Sequence, residues 1–174
     1  QMCKALEYLK KKDMGHFDIK PENIIYNDLL ESIPFGKRFK LIDFGFSDKY
    51  PFKNYRNNIC GSLFYIPSRI NMCDCPEWCN NIDCNDWKYN FEEGKHTHIT
   101  ETSKEFKLIY KSDIYSMGIT FNQLLYYIKH YFTINSLILF ENIDQLQHLI
   151  SAMTLANIYK RFSIEQCLDH TLFK

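Results

Sequence analysis

An excess of either charge is missing from this chain: Lys and Arg total 21 and Asp and Glu total 21 over 174 residues. With a formal net charge of zero there is no global electrostatic case for a nucleic-acid or membrane-surface protein, so a charged ligand must be held by a local site. A long apolar run is missing as well. The longest stretch, residues 114–128, is broken by Asn122 and Gln123 and closed by Lys129, short of the roughly 18 apolar residues that a membrane span needs. The opening residues Gln1-Met2-Cys3-Lys4 run into an amphipathic pattern without an apolar leader or cleavage site, so no signal peptide is expected in them, and the start on Gln1 suggests a fragment. There is no internal repeat. What remains is 45% hydrophobic and 16% aromatic, which excludes disordered and collagen-like chains and suits one globular domain with a buried core. The seven cysteines are an odd number, with Cys3, Cys60 and Cys167 standing alone. A reducing, intracellular setting, cytoplasmic or nuclear, is therefore expected.

The pattern of apolar residues divides the chain. Ala5, Leu6, Tyr8 and Leu9 give a helical face that ends at Lys10-Lys11-Lys12 and Gly15. Ile24-Ile25-Tyr26 and Phe39-Lys40-Leu41-Ile42 read as two strands of a hairpin with a long connection containing Pro34 and Gly36. From Asp113 to Lys129 the residues are apolar nearly all round, which predicts a central buried helix. Two shorter helices are expected at residues 143–153 and 163–168, the second with Ser163 as N-cap. Residues from about 71 to 110 are polar and cysteine-bearing without periodicity, and read as an insertion or long loop.

The chemistry sits beside the hairpin. His16-Phe17-Asp18-Ile19-Lys20-Pro21-Glu22-Asn23 precedes the first strand, and Asp43-Phe44-Gly45 follows the second. Phosphoryl transfer needs a carboxylate to orient the attacking hydroxyl, a cation near the moving phosphate, and oxygen ligands for Mg²⁺. Both motifs together supply these groups in order, and here the chain resembles the eukaryotic-type protein kinase family. The resemblance implies an α+β, mainly α-helical fold: the large C-terminal lobe of a kinase, with a short β-hairpin carrying the catalytic and Mg-binding loops. It implies Asp18 as catalytic base or hydroxyl-orienting group, Lys20 as the cation and a nucleotide contact, and Asn23 and Asp43 as metal and cofactor ligands. Gly45 would permit the turn after the metal ligand, Ile25 would lie beneath the adenine, and His16 and Phe44 would stack, anchored by Asp113. Gly61-Ser62-Leu63-Phe64-Tyr65-Ile66-Pro67 is similar to the segment that receives a peptide substrate, with Ser62 in contact with it. Residues 149–173, with Arg161 and His170, resemble the last helices of the lobe. Lys20 and Ser62 are the serine/threonine-kinase choices, so ATP, Mg²⁺ and a protein substrate are the implied partners. Nothing in the sequence speaks to oligomeric state.

The chain also departs from the family pattern. No Gly-rich loop, strand lysine or partner glutamate precedes Gln1, so these 174 residues alone are expected not to catalyse efficiently. Phe17 stands where many kinases carry an arginine, and between Asp48 and Cys60 there are Tyr50 and Tyr55 but no Ser or Thr. The usual phospho-switch lacks both halves, which argues for a loop that needs no phosphorylation. Arg69 falls where a glutamate would pair with Arg161, and two facing guanidinium groups would repel. That departure supports an alternative: a pseudokinase or truncated lobe acting as a binding module. In the insertion, Cys73, Cys75, Cys79 and Cys84, with His96 and His98, offer zinc ligands. The spacing lacks paired C-x2-C knuckles, so reduced thiols are the preferred reading over zinc.

Overall fold

The computed structural model describes residues 1–27, 38–49, 61–62, 64–67, 89–90, 95–96, 110–131 and 142–174. Among them are four α-helices and small antiparallel sheets, an α+β fold. Helix α1 (Met2–Lys11) buries Met2, Cys3, Leu6 and Leu9 and carries Lys10 and Lys11 in its last turn, where cations suit the helix dipole. Tyr8, expected on the buried face, is 61% exposed. A stripe of four residues at i, i+1, i+4 and i+7 already fills the side facing the core, and Tyr8 lies off it, with the Lys12 ammonium 5.7 Å from its ring.

After α1 the chain forms β1 (Met14–Gly15) and a 3-10 turn (Pro21–Asn23), then β2 (Ile24–Tyr26). The expected hairpin forms: β2 pairs antiparallel with β3 (Phe39–Leu41), Ile24 facing Leu41 and Tyr26 facing Phe39. Strand β4 (Asp48–Lys49) pairs back onto β1, with Met14 opposite Lys49 and Gly15 opposite Asp48. The residues after Asp43-Phe44-Gly45 are thus tied to those before His16. A further short pair, β5 (Tyr89–Asn90) with β6 (Lys95–His96), lies within the insertion. Its four cysteines and His98 lie outside the described residues, as does Arg69.

Helix α2 (Lys111–Tyr131) is central only in part. Ile114, Met117 and Leu125 are buried, whereas Leu124, Tyr126 and Tyr127 are each about half exposed. An apolar circumference therefore does not bury this helix over its whole length. It packs on α3 (Ile143–Met153) at Gly118, where a Cβ would sit 2.7 Å from Thr154 Cγ2 and 2.9 Å from Met153 Cβ. Helix α4 (Ile164–Leu168) starts as expected at Ser163. The Ser163 hydroxyl accepts from the Gln166 amide, and the Gln166 side chain accepts from the Ser163 amide, a capping box. The core joins α1 (Leu6, Leu9) to α2 (Ile114, Met117), α3 (Leu149, Met153) and α4 (Ile164, Cys167). No helix among the described residues is long and apolar enough to cross a membrane.

Because α2 and α3 touch at a residue without a side chain, Gly118→Val should force them apart. The expected loss is about 1–3 kcal/mol of stability, read as a lower urea midpoint with an unchanged slope.

Candidate active site

Asp113, in the first turn of α2, is buried beneath the loop that follows β1. Its Oδ2 accepts from the His16 amide and its Oδ1 from the Phe17 amide, both at 2.7 Å. Burial pushes the Asp113 carboxyl up to about 6, against the pull of these two amides. Phe17 needs the restraint: its φ is 64°, the left-handed region, which costs a non-glycine residue roughly 1–3 kcal/mol. Two charge-assisted hydrogen bonds offset that strain. The Phe17 ring is itself buried, packed on Gly15 so closely that a Cβ there would lie 2.2 Å from the ring.

Beyond the reversal at Phe17, the Asp18 carboxylate collects four donated hydrogen bonds. Oδ2 accepts from Asn23 Nδ2 and Lys20 Nζ, each at 2.9 Å. Oδ1 accepts from the Ser62 amide at 2.9 Å and the Ser62 hydroxyl at 2.8 Å. Burial would raise the Asp18 pKa, but bonds from Lys20, Ser62 and Asn23 and the lysine charge together bring it below the usual carboxylate range. The Asp18 hydrogen bond in turn raises Lys20, against its own burial. Lys20 Nζ also donates to Ser62 Oγ at 2.8 Å. Asn23 Nδ2 bonds the Asp18 backbone carbonyl as well, at 2.8 Å. Both donated contacts use the amide nitrogen, which leaves Oδ1 as the oxygen that could face a cation.

Ser62 reaches Asp18 because of the residues on either side. Gly61 has φ 105°, and a Cβ there would lie 2.1 Å from the Phe17 carbonyl oxygen, so only glycine fits. Tyr65 closes a turn back to the Ser62 carbonyl at 2.9 Å. Its own carbonyl accepts from Ser116 Oγ at 2.7 Å, and its hydroxyl donates to Gln123 at 2.7 Å. Helix α2 therefore holds both the loop carrying Asp18 and the turn carrying Ser62.

Asp43 follows β3 and approaches from the other side. The Ile42 amide donates to the Asn23 carbonyl at 2.9 Å, and His16 Nε2 donates to the Ile42 carbonyl at 3.0 Å. His16 Nδ1 accepts from the Asp18 amide at 3.3 Å, which fixes the neutral Nε2–H tautomer, and burial lowers the pKa of His16. His16 and Phe44 stack at 4.8 Å as expected. The turn itself differs from expectation. Asp43, with φ 59°, takes the left-handed conformation, and Gly45 instead donates its amide to Asp43 Oδ1 at 3.1 Å. A short polar side chain able to bond its own backbone tolerates that conformation. The oxygen-only donor set of Asn23 and Asp43 suits a hard cation such as Mg²⁺.

Ile25 lies on β2, about half exposed. Arg161 lies outside the cluster: it is buried, its guanidinium donates to the carbonyls of Leu155, Lys111 and Ala156, and it sits over the Tyr115 ring at 4.9 Å.

The family model for the protein kinase domain matches residues 1–76, the stretch that contains Asp18, Lys20, Asn23, Asp43 and Ser62. An Aurora kinase of Saccharomyces cerevisiae is 42% identical over 38% of this chain and 16% of its own length. An Aurora kinase of Schizosaccharomyces pombe is 45% identical over 38% of the chain and 17% of its own length. Residues 1–76 thus match the protein kinase domain, and the chain is similar to eukaryotic-type protein kinases. A serine/threonine-protein kinase of Caenorhabditis briggsae, dkf-1, is 23% identical along the whole of this chain and 20% of its own length. The chain thus spans about a fifth or less of the relatives it matches.

Several supports of this site are not legible from sequence motifs. Ser116 and Gln123 hold the Tyr65 turn from α2, and Ser47 donates its hydroxyl to the His16 carbonyl at 3.2 Å. Their only signal is a polar residue within a largely apolar helix or just past the Asp43-Phe44-Gly45 motif. Asp113→Asn keeps one acceptor and turns an N–H₂ toward a backbone N–H. It should cost about 1–3 kcal/mol, measured by urea unfolding.

Proposed function

We propose that the complete protein is a serine/threonine protein kinase that transfers the γ-phosphoryl group of ATP to a protein Ser or Thr hydroxyl. The reading rests above all on the Asp18 carboxylate, bonded at once by Lys20, Asn23 and Ser62. Residues 1–174 are taken as the large helical lobe of the kinase domain, with an insertion at about 71–110. The serine/threonine preference is supported by Lys20 and Ser62 and by the names of the relatives. An intracellular location is supported by Cys3 and Cys167, which are buried and free.

Asp18 has its pKa held low, so it acts chiefly by orienting the acceptor hydroxyl and is a weak store for the proton. Lys20 offsets negative charge gathering on the transferred group. Asn23, through Oδ1, and Asp43 would hold Mg²⁺, which would neutralise phosphate charge when bound. Ile25, on β2, would lie beneath the adenine.

In a full-length preparation, Asp18→Asn should lower kcat by about 10²-fold or more while the protein stays folded. Asp43→Asn should abolish stabilisation by Mg-nucleotide in a thermal melt. Turnover by neither protein, with no nucleotide effect on the unmutated one, would favour the binding-module reading instead. The loop reading has its own test. Phe17 is buried and residues 49–59 contain no Ser or Thr, so phosphatase treatment should leave kcat/KM unchanged; a loss of activity that an upstream kinase restores would contradict it.

A further inference from the structure

Away from the Asp18 cluster, two imidazoles meet where the last turn of the described chain lies against α3. His148 is exposed on α3, and His170 is buried at the start of the 3-10 turn Thr171–Phe173. His148 Nδ1 lies 2.8 Å from His170 Nε2. The rings stack at 5.1 Å with 21° between their planes, and Phe162 packs against both. Two ring nitrogens at that distance need one proton between them, and the backbone decides which ring supplies it. The Leu172 amide donates to His170 Nδ1 at 3.2 Å. His170 Nδ1 is therefore a bare acceptor, its proton is on Nε2, and it donates to His148 Nδ1. Both rings are neutral, each in a defined tautomer.

We propose that His148 and His170 form a pH-sensitive latch, which holds the turn at residues 171–173 against α3 while the pair shares one proton and releases it when His170 gains a second. The reason is a count of donors. A proton on His170 Nδ1 faces the Leu172 N–H. A proton on His148 Nδ1 faces the His170 N–H, and relieving that clash by switching the His170 tautomer again places a proton opposite Leu172. Every protonated form thus sets two donors against each other.

Most of the surrounding charges are engaged elsewhere. Asp169, beside His170, pairs with Lys174 at 3.0 Å, and Glu165 on α4 pairs with Lys10 at 2.6 Å. On α2, Lys111 donates to the carbonyls of Ile158 and Arg161, Asp113 holds the two backbone amides, and His130 contacts the Tyr126 carbonyl at the far end. Arg161, ahead of α4, donates to carbonyls. Asp144, one turn before His148 on α3, is exposed.

Burial, with the neighbouring His148, keeps His170 below its ordinary value. A histidine with a lowered folded pKa contributes stability above its unfolded value of about 6.5 and loses it as the pH falls through the folded value. The latch is closed at neutral pH and opens in acid. Leu172 and Phe162, which pack on the core, are what its opening would loosen.

Hydrogen exchange on the full chain tests this, at about pH 7.5 and about pH 5.5, on either side of the ordinary histidine value, with protection corrected for intrinsic exchange. The comparison is His170→Asn, whose side-chain oxygen can accept from the amide two residues on, as in an Asx-turn, and does not titrate. Unmutated protein should lose protection at residues 171–174, by about tenfold per pH unit below the His170 pKa, while Leu149 and Ile150 stay protected. His170→Asn should show no such loss. An unmutated protein without the loss, or an equal loss in the variant, overturns the latch. Should the variant not fold, NMR of the imidazole nitrogens in the unmutated protein decides: a proton on His170 Nε2 at neutral pH supports the latch, and one on Nδ1 overturns it.

Discussion

Everything in the candidate site hangs from one buried carboxylate. Asp113 takes two adjacent amides, His16 and Phe17, at 2.7 Å each, and so holds a left-handed phenylalanine that would otherwise relax. That single reversal sets the direction in which Asp18 leaves the backbone. The same helix fixes the Tyr65 turn through Ser116 and Gln123, so one rigid element aligns the two segments whose side chains meet at Asp18. A burial cost at one carboxylate is exchanged for positional precision at another, an arrangement that suits chemistry dependent on orientation.

The two aspartates show how environment separates roles among identical side chains. Asp113 is surrounded by apolar packing and two amides, and its affinity for a proton rises. Asp18 is also partly desolvated, yet the donors from Lys20, Ser62 and Asn23 outweigh this and its affinity falls. The first serves as an anchor, and the second is biased toward its charged form. Lys20, bonded to both Asp18 and Ser62, couples the carboxylate to the turn that would receive a peptide, so neither can shift without disturbing the other.

Local chemistry was legible in the sequence, and contacts over long separation were not. The hairpin of β2 and β3, the Ser163 cap and the spacing of His16, Asp18, Lys20, Asn23 and Asp43 all depend on near neighbours. Tyr8 and the exposed Tyr126 and Tyr127 escaped because a hydrophobic pattern reports apolar residues without saying which have a partner surface. The turn after the second strand, expected to rest on Gly45, has its left-handed residue at Asp43, and the Gly45 amide bonds that side chain. The Ser62 to Asp18 and His148 to His170 contacts join residues separated by 44 and 22 positions, and neither leaves a periodic trace.

The packing of α1 on α4 has a consequence for how the protein is made. Cys3 and Leu6 share a core with Ile164 and Cys167, and Lys10 reaches Glu165. The helix that leads into the Asp18 loop leaves the ribosome about 150 residues ahead of this packing partner, on the order of 10 s at ordinary rates of synthesis. Until then its apolar stripe lacks the cover that α4 supplies. The segment that leads to the Asp18 loop thus completes its packing late, and the interval in which it needs protection from aggregation is set by the rate of translation more than by the speed of folding.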